Sequence, residues 1–314
     1  PEAINFSEGP AERVLDVGSI IIACGFDEFD ATAMKELGYH SFDNVLSSVD
    51  YERVLSATGP TGAQVMRPSD GRIPRKIAFI QCVGSRNNEN PYCSSICCMF
   101  AMEEAIISKE HHRDIEPTIF YMDVRTFGKG YDEHFERARS EYGVRYIRSA
   151  ISRVYEDPDT KDLDITYTGA DGAVVTETFD LVVLAVGLRP SKQAGGLSRV
   201  INVASNDYGF VDTGPLTPLV TSRQGIYVCG GSAAPRDISE TVIEGSAAAC
   251  TAASSLADMR WRDITVLSAP DERDIAGQKP RIGVFICNCG VNIGGIIDVP
   301  AVKDYAAGLP GVVF

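Results

Sequence analysis

The sequence predicts an α/β fold built on a parallel sheet. Four short runs rich in β-branched residues each end at or beside a glycine, and the helical stretches 94–109, 131–141 and 239–259 lie among and after them. The four runs are residues 19–25, 76–84, 181–187 and 225–231. Continuous apolar runs of this length are typical of strands buried on both faces of a parallel sheet. Strands that alternate with helices indicate layered α/β architecture.

The middle of the chain contains two predicted supersecondary units. Residues 75–149 are predicted as strand, helix, strand, helix and strand, which is the βαβαβ half of a dinucleotide-binding domain. A hairpin at 152–179 follows, in which strands 164–168 and 174–178 flank a turn rich in glycine. We therefore expect Rossmann-type βαβ units with an antiparallel flap inserted before Leu181.

Composition excludes several classes of protein. The 314 residues include 29 Lys and Arg against 43 Asp and Glu, which gives a formal net charge of −14. This balance argues against a nucleic-acid partner, because phosphate binding needs clustered Lys and Arg. The apolar runs are much shorter than the ~18 to 20 residues of a transmembrane helix, and no secretory leader stands at the start. The chain begins without Met, and we expect it to be a piece of a longer protein.

The nine cysteines are an odd number, which does not fit the disulfide framework of a secreted protein. We therefore expect a reducing, cytoplasmic location, in which cysteine serves metal binding, catalysis or burial. Cys24, Cys229 and Cys250 lie in apolar or small-residue segments, so we expect them in the core. Cys287 and Cys289 could be the first ligands of a cluster whose other ligands lie beyond this chain.

The remaining four cysteines follow the strand at 76–84 in the pattern C-x10-C-x3-C-C: Cys82, Cys93, Cys97 and Cys98. A dinucleotide-binding domain would carry G-x-G-x-x-G here, whereas this turn has a single glycine, Gly84. Cys93 and Cys97 would share one face of a helical turn, and Cys82 would meet them where the strand ends. Four thiolates at a helix N-terminus suit an iron–sulfur cluster or a zinc ion.

Three uses of these four thiols stay open from the spacing alone. Adjacent Cys97 and Cys98 fit tetrahedral zinc poorly, because structural zinc sites favour C-x(2 to 4)-C pairs, so a [4Fe–4S] cluster is favoured over zinc. Buried or catalytic thiols are the third reading. A redox disulfide of the C-x-x-C type has no match anywhere in the sequence.

Several segments resemble the A-type subunit family of heterodisulfide reductases, over residues 15–258. They are Met-Arg-Pro-Ser-Asp-Gly at 66–71, Ile-Gln-Cys-Val-Gly-Ser-Arg at 80–86, the cysteine-containing stretch 90–101 and the stretch 120–131. The resemblance implies a thioredoxin-reductase-like, two-domain flavoprotein core that binds FAD and holds a [4Fe–4S] cluster where NAD(P)H would sit. It also implies that Cys82, Cys93, Cys97 and Cys98 are the cluster ligands.

The resemblance further implies which residues lie beside the flavin. They are Ala23, Cys24, Gly25, Phe26, Gly187, Gly230, Gly231, Ser232, Arg236, Asp237, Ile238, Thr241 and Val242. Arg236 stands where the family usually has Lys, and it is the candidate for tuning the flavin by stabilising negative charge at N1 and O2. The alternative interpretation of Arg236 and Asp237 is a solvated pair that caps a helix.

The domain boundaries follow from this resemblance. Residues 1–71 and 186–259 are expected to form a partial FAD-binding domain that lacks the family's G-x-G-x-x-G start, and 72–185 an inserted Rossmann-like domain that carries the cluster. Residues 260–280 are expected to be a linker. Residues 281–314 are expected to open a further module, with a strand at 282–290 and a helix from Pro300.

The function implied is that of an oxidoreductase component that passes electrons between FAD and [4Fe–4S] clusters, with flavin-based electron bifurcation as a family property. The implied partners are B-like and C-like subunits, a hydrogenase or other electron donor, and ferredoxin, in a hetero-oligomer. One alternative is an NAD(P)H-dependent flavin disulfide reductase. The other is a non-catalytic assembly module with structural zinc.

Overall fold

The computed structural model describes residue 4 and residues 6–260, 271–289 and 293–314. The chain divides into two units, one formed by 1–26 with 190–265 and the other by 27–189 with 266–314. Residues 27–71, which were expected in the flavin domain, thus lie in the unit that contains the four clustered cysteines. They do so because β3 (Val45–Ser47) pairs with the central sheet of that unit. Which cofactor each unit binds is still a prediction.

The described residues form twelve strands and six α-helices. The strands are β1 (Ile20–Ile22), β2 (Phe26–Glu28), β3 (Val45–Ser47), β4 (Lys76–Val83), β5 (Glu116–Tyr121), β6 (Arg145–Arg148), β7 (Val154–Glu156), β8 (Leu163–Thr168), β9 (Val174–Phe179), β10 (Leu181–Val186), β11 (Leu188–Pro190) and β12 (Ile226–Val228). The helices are α1 (Ser48–Leu55), α2 (Cys97–His111), α3 (Tyr131–Ser140), α4 (Lys192–Val200), α5 (Ile238–Ser255) and α6 (Val299–Ala307). None of these helices is long and apolar enough to cross a membrane.

The larger unit is built on a five-stranded sheet in the order β3-β10-β4-β5-β6, and every pair in it is parallel. All six residues of β10 are buried, as expected for the centre of a parallel sheet covered on both faces. The predicted α/β fold with βαβ units is therefore confirmed. This strand order brings the carboxyl ends of β4 and β5 to one edge of the sheet.

The two faces of this sheet pack against different layers. On one face α1 and α2 cover an apolar cluster that includes Tyr51, Phe79 and Met102. On the other face the three-stranded sheet β7-β8-β9 covers a second cluster, which includes Phe120 and Phe179. The pairing of β8 with β9 is antiparallel, so the predicted flap is confirmed.

One residue of α2, Glu104, has a buried carboxyl group. The side chain of Glu104 is 1% exposed, and neither of its carboxylate oxygens has a hydrogen-bond partner among the described residues. Burial, followed by the charge of Glu52, raises the pKa of Glu104 well above its usual value. Glu104 is therefore held in its neutral form in the folded protein.

We expect the free energy of unfolding to fall as the pH rises above the usual pKa of a Glu side chain. Above pH 4.5 an unfolded Glu104 loses its proton while the native one keeps it, so the free energy of unfolding decreases with pH until the native group also titrates. Urea unfolding at pH 5 and pH 8 measures this loss. Glu104→Gln should remove it, whereas Glu136→Gln, at an exposed position of α3, should leave it unchanged. Equal pH dependence in the wild type and Glu104→Gln would contradict the assignment.

The smaller unit contains a two-stranded parallel sheet in which Ile20 pairs with Ile226. Ile22 and Val228 belong to its apolar cluster. The predicted long helix is present as α5, and it begins after Asp237, which accepts a hydrogen bond from the backbone N–H of Glu240 in a capping box. Strand β1, the turn at 230–232 and the start of α5 thus belong to one packed unit.

The last described segments agree with the sequence only in part. A helix is present as predicted, and Asp298 caps it with Pro300 in its first turn. The predicted strand at 282–290 is wrong for the described part of that range, because Ile282 makes only a single bridge, to Val312, and no strand lies beside 283–289. Of the predicted linker, 261–270 lies outside the described residues, and 271–280 form neither helix nor strand.

Candidate metal centre

The structure brings the four predicted thiols together where β4 ends and α2 begins. Cys82 is the penultimate residue of β4, Cys93 lies in the loop, and Cys97 and Cys98 open α2. Burial, followed by the neighbouring Cys98, raises the pKa of Cys82 to about 11. Burial, followed by Cys82, Cys98 and Cys93, also raises the pKa of Cys97. Burial and the neighbouring thiols thus disfavour the ionisation of Cys82 and Cys97 unless a cation is bound.

The expectation that Cys93 and Cys97 share a helical face is wrong. Helix α2 begins only at Cys97, with Ile96 at the N-cap. Ser95 has a φ of 65°, which is incompatible with a right-handed helix, so the chain turns between Cys93 and the helix. Because Ile96 has no side-chain oxygen, no side chain caps the first turn of α2, and its N–H groups lie beside Cys97 and Cys98.

A β-bulge sets the direction of Cys82. Leu184 pairs with Ile80 and Val186 with Val83, so β4 has one residue more than β10 in this interval. Cys82 lies in the bulge and has a φ of 62°. Bulges re-aim side chains next to functional sites, and a positive φ at a residue other than glycine indicates a local conformation imposed by its surroundings.

Backbone N–H groups stabilise two of the sulfur atoms. The N–H of Ser95 donates to Cys93 Sγ at 3.3 Å, and the N–H of Arg125 donates to Cys98 Sγ at 3.4 Å. Arg125 comes from the loop after β5, which the parallel pairing of β4 and β5 places beside the thiols. Hydrogen bonds of this kind favour the thiolate, the form that binds metal.

A pair of arginines adds positive charge to the site. The guanidinium group of Arg86 is ion-paired with Asp123, and Arg125 Nε lies 3.3 Å from the same carboxylate. Arg86 also donates to the Cys82 sulfur and lowers the pKa of that thiol, against the larger effect of burial. Two arginine side chains and one carboxylate, that of Asp123, therefore lie at the edge of the site of four thiols.

The donor set fits an iron–sulfur cluster. Within the parts of the chain that are described, no three His, Cys, Asp or Glu side chains are grouped so as to hold a single metal ion. A cubane cluster has a different requirement, because each of its four thiolates binds a different iron. Cys82, Cys93, Cys97 and Cys98 would be those ligands, with the N–H groups of Ser95 and Arg125 supporting two of them.

The turn that would hold a diphosphate in a dinucleotide-binding domain is filled by protein. Gly84 has a φ of 76°, and a Cβ built on it would lie 2.0 Å from Cγ of Phe29. The amide of Asn90 donates to the carbonyl of Gly84 at 3.2 Å. The close approach that a glycine turn allows is therefore used by the Phe29 ring instead of a phosphate group.

Substitution of Gly84 is expected to be costly for this reason. A Gly84→Ala variant must both adopt a positive φ and displace Phe29, so we expect a loss of about 1 to 3 kcal/mol in the free energy of unfolding. Chemical denaturation measures the loss. Gly143→Ala is a matched control, since Gly143 also has a positive φ (66°) but has open space around it. Similar losses in the two variants would show that the Phe29 contact is unimportant.

Most of the predicted flavin residues lie in the smaller unit, around one buried turn. A Cβ on Gly231 would lie 2.9 Å from Phe26 Cδ1, and Gly230 has a φ of 61° against the Thr241 side chain. The hydroxyl of Ser232 is buried with no hydrogen-bond partner among the described residues. Ala23, Cys24 and Gly25 follow β1 directly, and Ile238 and Val242 are exposed on α5. An unpartnered buried hydroxyl beside a glycine turn fits a bound ligand with polar groups.

Gly187 is separated from this group, since it belongs to the larger unit. A Cβ on Gly187 would lie 2.9 Å from Ser85 Cβ and 3.0 Å from Ser94 Oγ. Its surroundings are therefore the segments that carry Cys82 and Cys93. Its predicted role beside the flavin remains a prediction.

The residues at the start of α5 form a network that was not predicted from the sequence. Arg236 Nε lies 2.5 Å from Glu244 Oε1, and the other oxygen of Glu244 accepts the N–H of Gly230 at 2.7 Å. Arg236 is thus bonded to the glycine turn through Glu244. Asp237 caps the helix, as the alternative interpretation proposed, but it does so with Glu240 as its partner in the capping box. Because Arg236 precedes the helix and Glu244 lies eight residues further on, no local spacing in the sequence signals this pair.

The remaining cysteines divide differently from the prediction. Cys229 is buried and Cys24 partly buried, whereas Cys250 is exposed. The prediction is wrong for Cys250 because α5 buries Ala248 and Ala252, and a residue two positions from each points to the opposite side of the helix. Cys287 and Cys289 are both exposed, and a hydrogen bond from one thiol to the other raises the pKa of Cys289.

A parallel sheet with Rossmann-like strand order, an antiparallel flap and four gathered thiols define the chain as an α/β protein with a candidate iron–sulfur site. No family model matches it. It is 43% identical over 281 residues to an A-type iron–sulfur subunit of the CoB–CoM heterodisulfide reductase of Methanopyrus kandleri, with 88% of this chain and 43% of the relative covered. It is 39% identical to the A-type subunit of the H2/formate:CoB–CoM heterodisulfide,ferredoxin reductase of Methanococcus maripaludis, with 88% of this chain and 43% of that relative covered. Over the matched residues the chain is thus similar to A-type subunits of heterodisulfide reductases, as the resemblance implied.

The chain spans less than half the length of these relatives. Among solved structures it is similar to Lactococcus lactis thioredoxin reductase in the FR conformation, with a TM-score of 0.49 and 20% identity over 76% of this chain and 66% of that one. It is also similar to T. acidophilum thioredoxin reductase, with a TM-score of 0.48 and 15% identity over 77% of this chain and 65% of that one.

Proposed function

We propose that this chain is part of a flavin and iron–sulfur electron-transfer subunit of the heterodisulfide-reductase type. The observation that carries the proposal is the convergence of four thiols at the end of β4, where a nucleotide-binding turn would otherwise lie. The smaller unit supplies the candidate FAD site around Gly230, Gly231 and the unpartnered Ser232. Names of relatives, which include iron–sulfur and ferredoxin reductase subunits, support the same assignment.

FAD accepts or donates two electrons, and a [4Fe–4S] cluster one, so the pair together can divide a two-electron input into single electrons. The residues of this chain prepare the cluster site for negative charge. The N–H groups of Ser95 and Arg125 bond to sulfur, and Cys97 and Cys98 lie at the N-terminus of α2, where the helix dipole favours negative charge. Arg236, tied to the glycine turn by Glu244, is the proposed cation of the flavin site.

The partners and setting are proposed from the relatives. B-like and C-like subunits, a hydrogenase or other electron donor, and ferredoxin would assemble with the whole protein in the cytoplasm of an anaerobic organism. The name of the Methanococcus relative pairs a heterodisulfide with ferredoxin as acceptors, which supports electron bifurcation as the activity to be tested.

Metal and flavin analysis of the purified chain, prepared without oxygen, tests the proposal. We expect about four iron and four sulfide per chain and an EPR signal after reduction. Zinc in place of iron, with no signal from the reduced protein, would overturn the cluster and favour an assembly module. Tight binding of NADPH in a titration would instead favour a disulfide reductase. The FAD content is measured as a separate result, because residues outside this chain can contribute to that site.

A further inference from the structure

Tyr146 carries a buried hydroxyl group without a hydrogen-bond partner among the described residues. The residue lies on β6, where it pairs with Ile119 of β5, and it packs against the apolar cluster that contains Cys97. Its ring is fixed by edge-on contacts with Phe135 and Tyr121, at centroid distances of 4.7 and 6.2 Å. A buried hydroxyl that bonds to nothing is costly, so its presence here points to an acceptor that the protein alone does not provide.

A candidate acceptor is the sulfur of Cys98, which lies 3.9 Å from the carbonyl oxygen of Asp123, two residues after the Tyr121 whose ring contacts Tyr146. Burial, followed by the Cys98 thiol, raises the pKa of Tyr146, in agreement with this placement. Cys98 Sγ accepts one backbone N–H, from Arg125, and sulfur ligands in clusters commonly accept more than one. The side chain of Gln81, which directly precedes Cys82, also has a buried amide without a partner in the described chain. Two buried polar side chains on strands of this sheet thus lack a partner among the described residues.

We propose that Tyr146 is a positioning residue whose hydroxyl donates a hydrogen bond to the sulfur at the Cys98 corner of the bound cluster and thereby raises the cluster's reduction potential. This inference rests on the proposed iron–sulfur function. Reduction adds one electron, taken from an external reductant, and places more negative charge on sulfur. A hydrogen bond to that sulfur is stronger in the reduced state and so favours reduction.

The test is Tyr146→Phe, which removes one oxygen atom and keeps the ring that packs against Phe135. Redox titration of the cluster-loaded protein, followed by EPR, gives the midpoint potential. At the potential that half-reduces the wild type, we expect the ratio of reduced to oxidised cluster to be about tenfold lower in the variant, a shift of about 59 mV for one electron. Iron content should be unchanged. Electron–nuclear double resonance of the wild type in heavy water should show an exchangeable proton that the variant lacks.

Tyr142→Phe is the matched control, because the hydroxyl of Tyr142 already bonds to Glu110 at 2.7 Å. Its potential should equal that of the wild type. A wild-type chain that binds no cluster would refute the proposed function itself. A loaded Tyr146→Phe variant with an unchanged potential, or one that loses its iron, would refute only the tuning role of Tyr146. The resonance measurement needs no variant, so absence of the exchangeable proton in the wild type would also overturn it.

Discussion

A Cys97→Ser variant is expected to lose at least half of the iron of the wild-type chain. Cys97 is the most deeply buried of the four thiols, and its sulfur lies 3.6 Å from the carbonyl oxygen of Val186. Water therefore cannot easily replace the lost thiolate as a ligand of the iron. Serine is also a much poorer ligand for iron in a cluster than a thiolate, since its hydroxyl does not ionise near neutral pH. Iron and sulfide analysis, with the visible absorption of the cluster, measures the loss.

Cys250→Ser is the matched control, because Cys250 is exposed on α5 and lies in the other unit of the chain. It should retain the iron content and spectrum of the wild type. A thermal melt of cluster-free protein should be nearly the same for both variants, since the substitution is almost isosteric. Full iron content in Cys97→Ser would remove Cys97 from the ligand set.

An Arg67→Met variant is expected to have a free energy of unfolding about 3 to 5 kcal/mol lower than that of the wild type. The Arg67 side chain is 1% exposed, and it lies 2.5 Å from Asp162 and 3.4 Å from both Asp70 and Asp180. It also donates to the carbonyl of Thr160 at 2.8 Å. Removal of the guanidinium leaves the partly buried carboxylates of Asp162 and Asp180 without this cation, and it cuts the link between the 66–71 loop, the flap and the start of β10. Urea denaturation measures the loss.

The control for this prediction is Arg72→Met, five residues away. Arg72 is paired with the same Asp70 at 2.7 Å, but its side chain is 63% exposed. Exposed pairs contribute less than about 1 kcal/mol, because water and salt screen them. Comparable losses in the two variants would show that burial of Arg67 is not what makes its ion pairs important.

Local sequence patterns were enough to predict much of the sheet. The apolar run at 181–187 has no polar face, which favours a strand covered on both sides, and β10 is a fully buried interior strand of the sheet. The glycine-containing turn at 169–172 likewise predicted the antiparallel flap. By contrast β3 and α1 were not predicted, because Ser48–Leu55 is polar in composition and is positioned by the pairing of Val45 and Leu46 with β10.

The candidate site was predicted in its residues and not in its geometry. Cysteine spacing singled out the four thiols as a group and left a cluster, zinc, and buried or catalytic thiols open as their uses. The bulge at Cys82 depends on register with β10, and the N–H of Arg125 reaches Cys98 only because β5 lies beside β4. Neither relation can be read from neighbouring residues. Tyr146 was missed for the same reason, since it joins the site from β6.

The bulged end of β4 has a consequence for how the protein would mature. Cys82 is fixed by backbone pairing of β4 with β10 and β5 and by apolar cores on both faces of the sheet, so its position depends on folding of the whole unit. In a zinc finger the metal organises an otherwise unfolded chain. If this chain holds the proposed cluster, the order is reversed: the unit folds first and iron is inserted afterwards. A cell short of iron would accumulate a folded apoprotein that can be repaired when iron returns, and would not need to degrade and resynthesise the chain.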